Sequence, residues 1–197
     1  MHYLRGNATA SAVGLYVIWR YLNSAQDGRT EEDVQRALEI LRTTSPVPEQ
    51  ASAVLSASLS VGEGLGVLTH ETHTETWKVD QHFSEDILGS GDPWPRFRGA
   101  LSHRMMQQGL EQLESGDAAP DLVLGLAWFM QFSPLSPIHS SWTEGPEPHV
   151  LKSGFRAVSS PEQWRSFQRW ASALGFSRTS DQGKAKVTIP DATTAIQ

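Results

Sequence analysis

The residues most able to do chemistry are cations near the C-terminal end of the chain. Residues 149–190 contain seven Lys and Arg but only two acids, so this segment carries a net charge of +5. Clustered cations can neutralise phosphate groups and release their counterions, which drives nucleic-acid binding. Five of them fall where a predicted helix meets a predicted hairpin. The candidate nucleic-acid-binding residues are therefore Arg165, Arg169, Arg178, Lys184 and Lys186.

The spacing of these cations favours a shared surface. Arg165 and Arg169 are four residues apart, which puts them on one face of a helix. Lys184 and Lys186 are two residues apart and share one face of a strand, and Arg178 falls near the turn of the hairpin. The alternative is an ordinary solvated helix face on which the Arg stems cover Trp rings.

Other motifs are weaker candidates for metal binding or catalysis. The run His70-Glu71-Thr72-His73 lacks the His-Glu-x-x-His spacing of zinc proteases, and strand geometry points its two His to opposite faces. The glycines of residues 62–66 follow a predicted helix rather than a strand, so they indicate a turn and not a phosphate loop. We therefore expect no metal, no cofactor and no enzymatic activity.

Composition narrows the class of protein further. The 197 residues contain no Cys, which removes disulfides, Cys-based zinc sites and thiol catalysis, and seven Trp indicate a folded core. The longest apolar run, residues 122–130, is too short to cross a membrane. These features predict a cytoplasmic protein without a membrane segment. The net charge of −6 arises in residues 1–90, with 12 acids and six bases, so it does not argue against nucleic-acid binding near the C-terminal end.

In the first half, hydrophobic spacing predicts three helices and a hairpin. The helices cover about residues 8–22, with Val13 and Val17 in the periodic stripe, then residues 31–41 after the N-cap Thr30, and residues 49–61. Strands follow at 67–69 and 75–79. This order resembles a winged helix over residues 8–80. The third helix has no Lys or Arg and a Ser-rich face, so we expect a protein-interaction module and a candidate surface for homodimerisation.

In the second half, Gly and Pro density predicts a linker over residues 83–95. A helix over 96–113 comes next, with an apolar stripe of Leu101, Met105, Leu110 and Leu113. An apolar helix over 122–132, capped by Asp121, follows it. Ser160 and Gln163 form a capping box for a helix that stops at Gly175. A hairpin follows that helix, so residues 121–190 resemble a second winged helix.

These elements predict a mainly helical α+β protein with two winged-helix-like units joined by a Gly/Pro-rich linker. The expected domains are residues 1–82, the linker 83–95, a helical domain over 96–190 with the second helix and hairpin, and the start of a truncated helix over 191–197.

Three segments of the second half resemble the G protein of bacterial Dpd islands, which encode 7-deazaguanine DNA modification and a linked restriction function. They read DLVLGLAWFM (residues 121–130, followed by Pro134), FQRWASALGF (167–176) and IPDATTAI (189–196). The resemblance implies a non-catalytic adaptor or DNA-binding accessory of a phage-defence complex, with other subunits of that complex and double-stranded DNA as partners. Alternatives are a winged-helix transcription regulator and a protein-interaction scaffold without DNA contact.

Overall fold

The computed structural model describes residues 2–7, 9–25, 27–40, 48–183 and 185–195. Over these ranges the protein is mainly helical with small antiparallel sheets, which confirms the predicted α+β class. The chain divides into two compact units. The first unit is Thr9–Arg104, and the second unit combines Met1–Ala8 with Met105–Gln197.

The first unit begins with three helices and a three-stranded sheet. In chain order its elements are α1 (Ala12–Asn23), β1 (Arg29–Thr30), α2 (Glu31–Ile40), α3 (Pro48–Gly64), β2 (Leu68–Glu71) and β3 (Thr76–Val79). The sheet order is β1-β3-β2, with both neighbouring pairs antiparallel. Three helices and a hairpin thus occur in the predicted order, with a short strand added between α1 and α2.

Side-chain caps explain where these helices begin. The Ser11 hydroxyl accepts a hydrogen bond from the Gly14 N–H at 3.0 Å. The Thr30 hydroxyl accepts one from the Asp33 N–H at 3.2 Å, as predicted. Each cap satisfies an N–H that has no partner within its own helix.

The buried side of α1 differs from the predicted stripe. Its buried residues include Leu15, Trp19 and Leu22, whereas Val13 is 51% exposed and Val17 is 37% exposed. The periodicity of the sequence identified a helix, but two apolar stripes compete for its core side. The stripe with the larger side chains is the one that is buried.

Close packing in the first unit depends on Gly62 in α3. A Cβ at this position would lie 2.7 Å from Leu68 Cδ1 and 2.8 Å from Leu15 Cδ1. Both leucines are almost fully buried. Gly62 therefore allows α3 to approach α1 and β2 closely, and it belongs to the helix rather than to the turn predicted over 62–66.

The structure also corrects the linker predicted over residues 83–95. Most of that segment is helical, in α4 (Gln81–Ile87) and the start of α5 (Pro93–Glu114). Asp80 caps α4 by accepting from the Phe83 N–H at 2.9 Å, and Phe83 is fully buried. Only residues 88–92 lie outside both helices. The division between the units falls within α5, after Arg104.

The second unit contains the end of α5 and six further elements. They are α6 (Asp121–Phe129), β4 (Ile138–His139), α7 (Pro146–Ser153), α8 (Pro161–Leu174), β5 (Ser177–Gln182) and β6 (Ala185–Pro190). The sheet order is β4-β6-β5, again antiparallel throughout. Leu101 and Met105 of the predicted α5 stripe are buried, whereas Leu110 and Leu113 are 61% and 57% exposed and lie outside the core.

Asp121 does not cap α6, although the sequence predicted that it would. The N-cap position is Pro120, and Asp121 is the first helical residue and is buried. Its carboxylate accepts hydrogen bonds from the backbone N–H groups of Tyr3, Leu4 and Arg5 at 2.7, 3.0 and 3.0 Å. Asp121 therefore fixes the N-terminal segment of the chain to this unit.

Residues 191–197 were expected to begin a helix. The structure instead has residues 191 and 192 outside any regular element and a turn over 193–195. Residues 196 and 197 lie outside the described part. Across the described ranges, the helices are too short or too polar to span a bilayer.

Candidate nucleic-acid interface

The helix α8 carries the two best-placed candidate cations. It begins at a cap in which the Ser160 hydroxyl accepts from the Gln163 N–H at 3.3 Å, and it ends at Gly175 in the left-handed conformation. Phe167, Trp170 and Leu174 on its inner side are fully buried. Arg165 and Arg169 are exposed on the outer side, as their spacing predicted.

A carboxylate lies next to this arginine pair. Glu162, in the first turn of α8, contacts Arg165 with Oε1 3.2 Å from Nη2. Hydrogen bonds from its own backbone N–H and from the Ser160 hydroxyl lower the pKa of Glu162, and the charge of Arg165 lowers it further. Exposed ion pairs of this kind contribute little because water and salt screen them, so Arg165 can exchange Glu162 for a phosphate.

The hairpin separates its cations rather than gathering them. Lys186 pairs across the strands with Asp181, and Arg178 pairs with Ile189. Directly paired residues share a face of the sheet, and faces alternate along each strand. Lys186 and Arg178 therefore lie on opposite faces of the hairpin, although both are exposed. Lys184 lies outside the described residues.

Arg178 has a structural contact of its own. Its Nε lies 2.6 Å from Asp191 Oδ2. The pKa of Asp191 is lowered by hydrogen bonds from the Thr193 hydroxyl and backbone N–H, and also by the charge of Arg178. This pair connects β5 to the residues that follow β6. Of the four described candidates, Arg165 and Arg169 share one surface, whereas Arg178 faces away from Lys186.

A cleft at the start of α8 was not indicated by any pattern in the sequence. This α7–α8 cleft has a volume of about 480 Å³, and Trp142, Glu147, Phe155, Arg156 and Pro161 are among its lining residues. Trp142 and Phe155 are 13 residues apart and follow no shared periodicity. Only the path of the chain through α7 brings them to one cavity.

The weaker motifs of the first unit have ordinary structural surroundings. His70 lies in β2, where it stacks on Trp77 with ring centroids 4.4 Å apart and contacts Glu75 at 3.6 Å. His73 is exposed in the turn of the hairpin. On α3, Ser58 is buried and donates to the Val54 carbonyl, so the predicted Ser-rich face is not a single exposed surface.

Comparison with known proteins identifies a family. A family model described as DpdG-like matches residues 4–197, which include both units. No curated protein and no solved structure matches the chain. The match extends the resemblance seen in three segments of the second half to nearly the whole sequence. The chain therefore belongs to the DpdG-like family, the G proteins of Dpd islands, and so to a DNA-modification system.

Proposed function

We propose that this protein is a non-catalytic accessory of the Dpd modification and restriction complex, and that its second unit contacts double-stranded DNA through α8. The observation that carries the proposal is the exposed pair Arg165 and Arg169 on a helix whose opposite side is buried. α8 is the third helix in an order of helix, strand, helix, helix and hairpin. In helix-turn-helix proteins the helix in the corresponding position enters the major groove.

Two further cations support the proposal that this part of the second unit contacts DNA. Lys186 is exposed on β6, and Arg169 lies one turn beyond Arg165 on α8. We infer that Arg165, Arg169, Lys184 and Lys186 contact phosphates, and that Arg178 acts mainly by holding Asp191. Both units are proposed to be winged helices, and the protein is proposed to act in the cytoplasm, where its DNA target lies.

The first unit is proposed to bind other subunits of the complex or a second copy of the chain. Its third helix, α3, contains no Lys or Arg, which are the usual contacts to phosphates. Val13 and Val17 on α1 are exposed and lie one turn apart. An apolar pair of this kind is better suited to a protein partner than to DNA.

Salt dependence of duplex binding tests the proposal. Removal of one phosphate contact should reduce the slope of log K against log salt by about 0.9. The variant Arg165→Gln/Arg169→Gln should therefore lower the slope by about 2 and weaken binding to all sequences alike. The matched control is Arg20→Gln/Arg36→Gln, which removes the same charge from exposed helix positions of the first unit and should leave the slope unchanged.

Two other outcomes would favour the alternatives. No duplex binding at low salt would overturn the DNA contact and favour a protein-interaction scaffold, for which the acidic first unit is the supporting observation. Preference for one duplex sequence by at least about a thousandfold over random DNA would instead favour a transcription regulator.

A further inference from the structure

The α7–α8 cleft is not used by the proposed contacts of α8 with duplex DNA. Its volume of about 480 Å³ lies within the range of sites that hold small ligands. It is lined by two aromatic residues, a guanidinium and a carboxylate, and Pro161 places the first turn of α8 at its edge. These groups suit a ligand that combines a flat ring with an anionic group.

The Phe155 wall of the cleft is held by the core. The rings of Phe155 and Trp128 are stacked, with centroids 5.2 Å apart and planes at 9°. Trp128 is itself buried and meets Phe132 edge to face at 4.9 Å. One face of Phe155 is thus covered by Trp128, and the ring also lines the cleft. Phe155 provides a fixed platform for a second flat ring.

The Trp142 wall is held by a closed turn. The Gly145 N–H donates to the Ser141 carbonyl at 3.1 Å, and the Glu147 N–H donates to the Trp142 carbonyl at 3.0 Å. His139 Nε2, in β4, lies 3.0 Å from Glu144 Oε2 in this turn. These contacts restrain the backbone that carries the indole. Little ordering is then needed when a ligand enters, which favours binding.

The charged groups in the cleft can recognise the two ends of a nucleotide. The guanidinium of Arg156 favours an anion such as a phosphate. The Arg156 backbone is held in turn, because its carbonyl accepts a hydrogen bond from the Arg5 guanidinium. Glu147 opposes a phosphate, but it can accept hydrogen bonds from the N–H groups on the edge of a base.

We propose that the α7–α8 cleft binds one unstacked nucleobase, with its phosphate, from an unpaired stretch of nucleic acid. This inference rests on the proposed DNA contact of the second unit and names a part of the DNA for that unit to read. Pro161, which lines the cleft, lies one helical turn before Arg165 on α8. Stacking of a base on aromatic side chains tolerates every base, so the site accepts an unpaired base of any type.

The test compares a short oligothymidylate with an abasic oligonucleotide of equal length on the full chain. The two share a phosphate backbone and differ only in bases. We expect the oligothymidylate to bind at least about tenfold more tightly, which corresponds to the lower range measured for one stacked base. Equal affinity for the two would overturn the inference and leave the phosphate contacts of α8 in place. Failure of both to bind would also overturn the inference, whereas the proposed duplex contact is overturned only if duplex binding at low salt fails too.

Two variants locate the effect. Trp142→Ala should remove most of the difference between the two oligonucleotides, and Trp142→Phe should retain it because the phenyl ring still stacks. Arg165→Gln/Arg169→Gln should lower the affinity for both oligonucleotides by the same factor. If Trp142→Ala, folded by circular dichroism, keeps the full difference, the base binds elsewhere and the assignment of the cleft is wrong. If this variant no longer binds a protein partner of the complex and the native chain does not distinguish the oligonucleotides, the cleft is a protein-docking site.

Discussion

The two units of this protein share six described elements in the same order but have different surfaces. In the first unit, α1, β1, α2, α3, β2 and β3 form a sheet in the order β1-β3-β2; in the second, α6, β4, α7, α8, β5 and β6 form one in the order β4-β6-β5. In both, the strand between the first two helices pairs with the last strand of the hairpin. One topology therefore occurs twice in a single chain.

The difference lies in charge and in the third helix. The first unit has 13 acids and eight bases, whereas the second has nine acids and eight bases. α3 has no cation, and α8 displays Arg165 and Arg169. The inner side of α8 is aromatic, whereas that of α3 uses small and aliphatic residues that allow close approach. Shared topology thus does not determine a shared partner, because binding depends on the side chains at the surface.

The largest expected effect concerns buried carboxylates. Asp121→Ala leaves the backbone N–H groups of Tyr3, Leu4 and Arg5 without an acceptor, and should lower the free energy of unfolding by about 3–5 kcal/mol. In the first unit, Asp80→Ala removes a helix cap and a contact with Arg104 at 4.0 Å, and should cost about 1 kcal/mol. Urea denaturation measures both, with Asp121→Asn, which keeps one acceptor oxygen, as the control. Equal destabilisation by the two alanine variants would contradict this difference between the units.

Packing at glycines gives the next effect. Gly62→Ala places a Cβ within 2.8 Å of two buried leucine methyl groups and should destabilise the first unit by about 1–3 kcal/mol. Gly125→Ala in α6 meets Phe167 only at 3.1 Å, so its destabilisation should be smaller. Gly99→Ala is the control, because nothing lies within 4 Å of a Cβ at this position. The higher helix propensity of Ala should raise the free energy of unfolding by about 0.5–1 kcal/mol. A destabilisation at Gly99 equal to that at Gly62 would show that crowding is not the cause.

The third expectation is a pH dependence confined to the second unit. Burial, and then the charge of Asp121, raises the pKa of Tyr3 well above its ordinary value of 10.0. The folded state therefore favours the neutral phenol. The contribution of Tyr3 to stability should be constant below pH 10, and stability should fall as the pH rises above it. Tyr3→Phe should remove this fall, while costing about 1 kcal/mol at neutral pH because the hydrogen bond to Gln108 is removed. The free energy of unfolding of the native protein and of Tyr3→Phe is measured from neutral to strongly alkaline pH. If both curves fall in parallel, Tyr3 is not responsible.

The smallest effect concerns an exposed ion pair in the hairpin of the first unit. Lys78 Nζ lies 2.6 Å from Glu71 Oε2, and the hydrogen bond and charge of Lys78 lower the pKa of Glu71. Its contribution should be present above pH 4.5 and disappear as the pH falls through the lowered pKa. A double-mutant cycle with Glu71→Gln and Lys78→Met should find a coupling that disappears in high salt. A coupling that persists in molar salt would mean that the pair is more than a screened surface contact.

The elements that the sequence predicted best are those defined by local interactions. Thr30, Ser160 and Gly175 act within a few residues of their own positions, so their caps and stops were correct. The pair Arg165 and Arg169 was likewise placed correctly on one exposed face, because helical spacing alone determines it. The same reasoning identified the order of helices and hairpin in the first half.

Predictions that depended on distant contacts were less successful. Asp121 was predicted to cap its own helix, but its acceptors are used by residues 3–5 at the other end of the sequence. Leu110 and Leu113 have helical spacing yet are exposed, and most of the predicted linker is helical. In each case the local pattern allowed two outcomes, and contacts made elsewhere selected one.

The sequence by itself thus determined the capped helix starts, the stop at Gly175, the class of the fold, and the contrast between an acidic first half and cations near the C-terminal end. Only the tertiary structure decided which apolar stripe of α1 is buried, that Arg178 and Lys186 face opposite ways, and that Trp142 and Phe155 line one cleft. The physical reason is range: capping and periodicity act over a few residues, whereas burial and cavities depend on segments that meet only after the chain has folded.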